Sequence, residues 1–493
     1  MLNKNLTLLY SLLLVLSISS FQICFSQTPD TLWTKMLGGN EDEYGFYSEQ
    51  TSDGGYIITG TTESFGVGYD DVWLVKTNSS GDTLWTKTYG GSNYDEGDCV
   101  HQTNDGGYIV FAETGSFNPN FYRVWLIKTD ADGDTIWTKL FGNNQNYYIE
   151  SGLELPGIGY IFLGFTKVDA ADPEDILLVK INLSGEINWT KTYGGTDRDL
   201  PSSIYQTGDG GFIISGSTKS LSAGDFDAWL IRADSDGNLI WTKKYGGTGY
   251  DLGWDARQTD DDGFIVAGLT ASFGHMNNYV DAWLIKTDYN GDTLWTKTFG
   301  GLDHDGALSV LQTSDAGYIF TGYYSLEGYE SDVWVVKTDE DGNIQWSKNY
   351  GGIFFDMGRL INPTSDGGYI ISGEYYSVTA NSRDIWLLKI GPDPNDVEKD
   401  EKAPIPETIV LKQNYPNPFN PSTTIEFGIP ESQFITLAVY NLLGEQVGLL
   451  VNENLSAGNY KATWDADDLP SGIYIYKLIA RGFSQSNKMI LLK

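Results

Sequence analysis

The segment QTSDGGYIITGTTESFGVGYDDVWLVKTNSSGDTLWTK, residues 50–87, contains the three short elements that decide the fold. QTSDGGYII carries a Gly-rich turn before an apolar run, DVWLVK is almost continuously apolar, and GDTLWTK begins at a second tight turn. Short runs rich in Val, Ile, Tyr, Trp and Thr and bounded by Gly, Asp and Asn are typical of β-strands. The segment therefore predicts consecutive antiparallel strands joined by tight turns.

The same three elements recur along most of the chain, with a repeat of about 52 residues. The repeated triplet Trp-Thr-Lys or Trp-Ser-Lys begins at Trp33, Trp85, Trp137, Trp189, Trp241, Trp295 and Trp346. A unit of about 50 residues with four strands has the size of a propeller blade. Residues 27–390 are therefore predicted to form an all-β, seven-bladed β-propeller with four-stranded blades.

The last repeat lacks its outer strand. Its third strand, DIWLLK at residues 384–389, is not followed by a Trp-Thr-Lys segment, whereas the first such segment precedes the first full unit. An open ring would expose two sheet edges, which invite aggregation. We therefore expect residues 31–36 to complete the seventh blade.

The N-terminus has the features of a secretory signal peptide. Lys4 precedes an apolar run at residues 6–21, and Ser26 is a small residue suited to the position before cleavage. The sequence predicts a signal peptide at residues 1–26 and no transmembrane segment in the mature chain. Cys99 is then the one remaining cysteine, which excludes a disulfide framework.

The charge balance restricts the class of partner. The chain has 31 Lys and Arg residues against 66 Asp and Glu residues, a net charge of −35. Such a charge repels phosphate backbones, so nucleic acid is not an expected partner. We expect an acidic, monomeric protein.

The repeat pattern ends after Lys389, and a second domain follows. Residues 391–410 are rich in Pro and charge and are predicted to be a linker. Residues 411–493 contain short alternating strands separated by Gly and Pro turns, which predict a small Ig-like β-sandwich.

Five motifs in this domain occur in the order found in a known family. They are YPNPFNP, LLGEQV, LSAGNY, LPSGIYIYKL and the terminal KMILLK. The segment resembles the type A C-terminal sorting domain of the bacterial type IX secretion system, and the repeats resemble uncharacterised propeller repeats of such secreted cargo. The positions that carry the resemblance are Pro416, Asn417, Pro418, Phe419, Gly444, Gly458, Tyr460, Gly472, Tyr474 and Lys488.

The resemblance implies a destination and two partners. In that family the domain directs a folded periplasmic cargo across the outer membrane through the type IX secretion machinery, and a sortase-like protease often removes it. The resemblance therefore implies a protein that is secreted or held at the outer cell surface. It does not imply an activity for the propeller.

Two classes of function remain open for the propeller. The loops between the second and third strands differ in every unit, and variable loops on a rigid scaffold favour a binding or adhesion module for a glycan or a surface protein. The alternative is a secreted carbohydrate-active hydrolase or lyase. His304 lies between Asp303 and Asp305, but no nucleophile elbow, zinc motif or phosphate loop occurs.

Six of the seven units share an acidic residue just before the innermost strand. Sevenfold geometry predicts a broken ring of acids at one mouth of the channel, which could hold a cation or a basic group. The alternative is that each acid fixes its own loop by accepting backbone N–H bonds. These candidate residues are Glu43, Asp95, Asp199, Asp251, Asp305 and Asp356.

No cofactor is expected, and calcium is the one ion that the sequence leaves open. The turns at residues 129–134 and 233–238 resemble calcium loops in their spacing of Asp residues. Their Gly, however, is fourth from the first Asp rather than sixth, which favours a tight turn between two strands.

Overall fold

The computed structural model describes most of the chain from residue 28 onward. The predicted signal peptide, residues 1–26, and its cleavage site lie outside the described residues. The described residues are 28–29, 31–118, 120–142, 145–167, 174–220, 222, 224–274, 279–325, 330–352, 354–377, 382–392, 398–399, 403–444, 446–466 and 469–493. Among them every regular element is a β-strand.

The first part of the chain consists of strands β1 to β28. Most have seven or eight residues, as the short apolar runs predict. Their bounds are β1 Thr31–Leu37, β2 Glu43–Gln50, β3 Tyr56–Thr62, β4 Asp71–Thr77, β5 Thr83–Tyr89, β6 Asp95–Gln102, β7 Tyr108–Thr114, β8 Arg123–Thr129, β9 Thr135–Phe141, β10 Asn146–Leu155, β11 Gly159–Lys167, β12 Asp175–Asn182, β13 Ile187–Tyr193, β14 Asp199–Gln206, β15 Phe212–Thr218, β16 Asp227–Ala233, β17 Leu239–Tyr245, β18 Asp251–Gln258, β19 Phe264–Thr270, β20 Asp281–Thr287, β21 Thr293–Phe299, β22 Asp305–Gln312, β23 Tyr318–Ser325, β24 Ser331–Thr338, β25 Ile344–Tyr350, β26 Met357–Pro363, β27 Tyr369–Ser377 and β28 Ser382–Ile390.

These strands form seven antiparallel four-stranded sheets, and the predicted seven-bladed β-propeller is confirmed. We name the strands of each blade A to D from the inside outward. The A strands are β2, β6, β10, β14, β18, β22 and β26. Each A strand contacts the A strands of both neighbouring blades, and β26 contacts β2, so they form a closed ring around a central channel.

The N-terminal strand completes the seventh blade. β1 pairs with β28 in antiparallel register, with Trp33 opposite Lys389 and Met36 opposite Trp386. The seventh sheet therefore has the order β26, β27, β28, β1, and its outer strand comes from the other end of the repeat region. The strand runs one residue beyond the expected 31–36.

The lysine that ends the DVWLVK element is buried and forms an ion pair within its blade. Lys76 is almost fully buried, and its Nζ donates to Asp53 of the preceding turn at 2.9 Å and to the carbonyl of Thr77 at 2.9 Å. Burial alone would raise the pKa of Asp53, but hydrogen bonds from Thr51 and Lys76 lower it to about 2. Equivalent ion pairs are Lys128–Asp105, Arg232–Asp209, Lys286–Asp261, Lys337–Asp315 and Lys389–Asp366.

The outer-strand tryptophans link one blade to the next. A Cβ on Gly133, which has a φ of 78°, would lie 2.9 Å from the Trp85 ring of the preceding blade. Glycine is therefore needed there both for the turn conformation and for close packing. The tyrosine at the end of the same strand, Tyr89, donates its hydroxyl to the carbonyl of Gly133 at 2.6 Å.

The C-terminal domain is a β-sandwich of two four-stranded sheets. One has the order β29, β34, β31, β30 and the other β33, β32, β35, β36. Buried residues from both sheets form a single apolar core. The strands are β29 Glu398–Lys399, β30 Val410–Leu411, β31 Ser422–Ile429, β32 Gln433–Tyr440, β33 Gln446–Leu455, β34 Gly458–Asp465, β35 Gly472–Ala480 and β36 Phe483–Leu491.

The structure extends this domain into the predicted linker at residues 391–410. Glu398 and Lys399 of β29 pair with Lys461 and Tyr460 of β34. Asn459 also donates to the carbonyl of Pro404 at 2.8 Å. Sequence composition did not indicate this pairing, because two residues are too few to produce a strand pattern.

Deletion of residues 27–37 is expected to lower the melting temperature by more than about 5 °C or to prevent folding, because β28 would lose its partner and the ring would open. Circular dichroism of the purified protein measures this. Replacement of Leu32, an exposed residue of β1, by Thr keeps the strand and is the control, which is expected to leave the melting temperature almost unchanged. An unchanged value for the deletion would contradict closure by β1.

Candidate functional site

The six predicted acids are buried, and each is bound within its own loop. Asp251 is representative: one oxygen accepts the N–H of Gly247 at 2.8 Å and the hydroxyl of Ser272 at 2.6 Å, and the other accepts the hydroxyl of Thr270. Backbone N–H groups are bound in the same way by Glu43, Asp95, Asp305 and Asp356, and hydroxyl groups by Glu43, Asp95 and Asp199. This geometry favours the loop-fixing alternative over a shared cation site.

In the two calcium-like turns, an aspartate side chain accepts hydrogen bonds from the backbone of its own turn. Asp130 accepts the N–H groups of Asp132 at 3.0 Å and Asp134 at 2.8 Å. Asp234 binds the backbone of its turn in the same manner. Among the described residues, no three His, Cys, Asp or Glu side chains are grouped as a metal site would require.

Aromatic side chains meet at the blade junctions on one face of the propeller. Because strands alternate in direction, the B–C loops and the loops before strand A lie at the same end of every blade; we call this end the loop face. Tyr69 of a B–C loop stacks on Tyr94 of the next blade, with ring centroids 4.9 Å apart and planes inclined by 8°. Tyr69 is 61% exposed and Tyr94 is 40% exposed.

Four other junctions on the loop face contain a comparable contact between aromatic rings. They are Tyr122–Tyr148, Phe226–Tyr250, Tyr279–His304 and Tyr323–Phe355. Between the seventh and first blades Arg383 lies over the Tyr44 ring, and between the third and fourth blades Glu174 bonds to Arg198. His304, which the sequence placed between two acids, thus packs in this ring of contacts.

Four acids occur close together in the channel on the second and third blades. We call Glu96, Asp98, Glu113 and Glu150 the channel acids. Glu96 is paired with Glu113 in the sheet, and Glu113 accepts the N–H of Ile149 of the next blade at 2.8 Å. The Oδ2 atom of Asp98 is buried and has no hydrogen-bond partner among the described residues.

Burial and mutual repulsion make the channel acids weak acids. Both effects raise the pKa of Asp98 and Glu113 well above the ordinary range, and that of Glu96 to a lesser degree. Surrounding protein raises the pKa of Glu150 to about 8, although its side chain is exposed to the channel. Arg359 of the seventh blade opposes this rise, and it is paired with Glu374 at 2.5 Å.

The other end of the channel is crossed by a hydrogen-bonded network, which we call the channel floor. Arg257 donates to Tyr205 at 2.9 Å and to the side chain of Asn362 at 3.5 Å, and Asn362 donates to the carbonyl of Ser48 at 2.8 Å. These contacts join the fourth, fifth, seventh and first blades.

His101 extends the channel floor to the second and third blades. Its Nδ1 lies 2.8 Å from Glu49 and its Nε2 lies 2.8 Å from the carbonyl of Gly152. Both neighbours are acceptors, so the contacts are satisfied only by the doubly protonated ring. Burial alone would lower the pKa of His101, but Cys99 and Glu49 raise it well above 6.5.

The residues of the sorting motif hold the last strand in the sandwich. Phe419 is buried against Trp464, and its backbone exchanges hydrogen bonds with Ile490 and Leu492 at 3.0 Å. Asn417 accepts the N–H of Ile490 at 3.0 Å and donates to the carbonyl of Lys488 at 3.3 Å.

The remaining motif positions support turns, strand starts and ring contacts. Tyr460 and Tyr474 donate their hydroxyls to the carbonyls of Ser456 and Pro470. Gly444 has a φ of 81° in a turn, and Gly458 and Gly472 begin β34 and β35. Pro416 and Pro418 follow cis peptide bonds.

The channel acids and the channel floor were missed by sequence reasoning. Attention to repeated positions hides residues that depart from the repeat. Glu113 shows the available signal, because the equivalent positions include Thr61, Ser217 and Leu269. Comparing each strand A and strand B position across units would have revealed these residues.

The ion pair of His101 is expected to stabilise the protein only while the imidazole is charged. Its folded pKa is raised, so the contribution is present below the unfolded value of about 6.5 and is lost as pH rises through the folded pKa. His101→Gln should remove this alkaline loss, measured as melting temperature against pH. Replacement of exposed His304 by Gln is the control. Parallel curves for wild type and His101→Gln would contradict the assignment.

Comparisons with known proteins agree with the two-part organisation. Residues 413–492 match the secretion system C-terminal sorting domain. No curated protein matches the chain significantly. Among the described residues, no helix has the length and apolar character needed to span a bilayer.

Several solved structures are similar at low identity. PorZ, a bacterial surface component of the type-IX secretion system of Porphyromonas gingivalis, is 10% identical with a TM-score of 0.43; the match covers 93% of this chain but only 60% of PorZ. Sqt1 from Chaetomium thermophilum is 9% identical with a TM-score of 0.41, covering 70% of this chain and 82% of Sqt1. The β-propeller domain of the Trilobed protease from Pyrococcus furiosus is 11% identical with a TM-score of 0.40, covering 70% and 93%.

The sorting domain identifies the route that this chain takes. Such a domain implies interaction with the type IX secretion machinery. The chain is therefore a β-propeller protein with a type IX C-terminal sorting domain, exported to the exterior of the cell and either secreted or held at the outer surface.

Proposed function

We propose that this protein is a binding module of the cell exterior whose loop face recognises a glycan. The observation that carries the proposal is the set of aromatic contacts at the blade junctions of that face. Tyr69 and Tyr94 combine large exposed area with a fixed ring orientation, because each ring rests on the other. Aromatic side chains supply apolar contact with a polar tip at little cost in side-chain entropy.

Further exposed aromatic residues extend the apolar area of the loop face. Phe65, Phe117 and Phe273 of three B–C loops pack on the strand C tryptophans Trp73, Trp125 and Trp283, and the three phenylalanines remain between 43% and 52% exposed. Contact with buried tryptophans restricts their motion. A rigid aromatic surface is suited to the apolar faces of sugar rings, and the neighbouring polar loops are suited to sugar hydroxyls.

Tyr69→Ala together with Tyr94→Ala is expected to weaken glycan binding at least about fivefold without changing the melting temperature, since exposed aromatic contacts carry much of the affinity of an interface. Glycan-array and calorimetric measurements on residues 27–398 test this. Tyr289→Ala is a matched control, because Tyr289 is an exposed tyrosine in a C–D turn on the opposite face. Binding that is lost equally in the control, or capture of surface proteins without glycan binding, would refute the proposal.

We further propose that the sorting domain is removed after export by a sortase-like protease. Deletion of residues 411–493 is expected to leave a folded propeller in the periplasm, detected by fractionation and immunoblotting. A milder variant, Phe419→Ala, should reduce export because the last strand loses its buried contact. Normal release of the deletion variant into the medium would contradict the role of this domain as the export signal.

The channel acids favour a second candidate, a carbohydrate-active hydrolase or lyase. A carboxyl group with a raised pKa can act as a general acid, and Glu150 is exposed to the channel with a pKa of about 8. Enzymatic release of oligosaccharides that Glu150→Gln abolishes, without loss of binding, would favour this candidate. Binding without product release favours the binding module.

A further inference from the structure

A second acid accompanies each predicted acid at the blade junctions. It is the Asp of the DVWLVK element and lies among the first three residues of strand C. The pairs are Asp384–Glu43, Asp71–Asp95, Asp175–Asp199, Asp227–Asp251, Asp281–Asp305 and Asp332–Asp356. Each pair joins one blade to the next, because strand C of one blade faces the loop before strand A of its neighbour.

A single glycine separates the two carboxyl groups of each pair. A Cβ on Gly90 would lie 1.8 Å from Oδ1 of Asp71 and 2.8 Å from Oδ2 of Asp95. On Gly351 it would lie 2.1 Å from Oδ1 of Asp332 and 2.8 Å from Oδ2 of Asp356. Two carboxyl oxygens thus approach the same glycine backbone, which explains why this position has no side chain.

At three junctions, the oxygen of the strand C acid that faces the partner acid is unsatisfied. Oδ1 of Asp175, Asp227 and Asp332 is buried and has no hydrogen-bond partner among the described residues. Asp227 is 3% exposed, and its other oxygen bonds to Lys244 at 3.1 Å. No described ion pair involves Asp71, Asp175 or Asp332. Two further acids add to the repulsion, since Asp70 lies near the Asp71–Asp95 pair and Glu330 near the Asp332–Asp356 pair.

The sequence indicates that the two acids of a pair act together. The junction between the second and third blades has Arg123 in place of the strand C acid and Tyr147 in place of the loop acid. These positions belong to different repeats, yet both depart from the pattern at the same junction. An acid that only fixed its own loop would not require the loss of its partner.

We propose that the two carboxyl groups share one proton at five of these junctions, all except Asp227–Asp251, where Lys244 is paired with Asp227, so that each of the five pairs carries a single negative charge in the folded ring. Two carboxyl groups that approach one glycine from both sides in a largely buried site cannot both ionise without strong repulsion. A protonated carboxyl donates to its neighbour and satisfies the oxygens that otherwise have no partner. The proton is therefore a component of the contact between blades.

The shared proton makes the stability of the ring depend on pH with a defined sign. Burial is the main cause that raises the pKa of Asp305 and Asp356 to about 6 from 3.8, and the paired Asp281 and Asp332 add to it. The folded protein then keeps protons that the unfolded chain has released. The contribution of the shared proton to folding stability is present in full below about pH 4 and is lost as the pH rises through about 6.

The experiment uses asparagine as a permanent mimic of the protonated acid. Wild type, Asp332→Asn and Asp71→Asn are melted between about pH 4 and pH 8, once with a chelator and once with added calcium. Asp132→Asn is the matched control, because it removes the same charge from an exposed turn residue. The difference between each variant and wild type isolates one junction from the channel acids.

Asp332→Asn and Asp71→Asn are each expected to melt higher than wild type above pH 7 and to show a smaller fall between pH 4 and pH 6, whereas Asp132→Asn should follow wild type. Curves parallel to wild type for both junction variants would overturn the proposal. So would a calcium-dependent rise in the wild-type melting temperature that Asp332→Asn abolishes, because the pair would then hold a metal ion rather than a proton. Two junctions are tested so that one poorly folded variant does not decide the outcome.

Discussion

Closure of the ring by β1 is the constraint on which the rest of the structure depends. The sheet of each blade packs mainly on the sheets of its two neighbours, so the seventh blade supports the first only if the ring is complete. The pairing of Trp33 with Lys389 joins the two ends of the repeat region within one sheet. Without it, β28 would be an open edge and the A strands would lose the closed arrangement that defines the channel.

Repeated side chains turn this closed ring into a rigid one. The buried Lys76 fixes a turn within its blade, Trp85 packs on the turn glycine of the next blade, and the glycine between two acids allows close approach at the loop face. These contacts recur around the ring with few exceptions. Rigidity of this kind is what allows exposed loops to present side chains in fixed positions.

The channel acids, which depart from the repeat, lie on the second and third blades. Three of the channel acids lie on strand A, Glu113 on strand B, and His101 fixes the floor beneath them. A repeat position tolerates a charged residue in the channel only where its neighbours compensate for the cost of burial. The raised pKa values of the channel acids favour the uncharged carboxyl groups, and His101 has a hydrogen-bond acceptor at each ring nitrogen.

The sequence alone determined the seven four-stranded blades, closure by the N-terminal strand and the identity of the sorting domain, because each leaves a local or periodic signal. It placed Glu43, Asp95 and the equivalent acids at one repeat position but left open whether they bind a cation or fix loops. Only the tertiary structure decided which groups face one another. Asp71 and Asp95 approach each other across a blade junction, and Arg257 and Asn362 bond across the channel. The residues of each pair are too far apart in the sequence for a local or periodic pattern to indicate the contact.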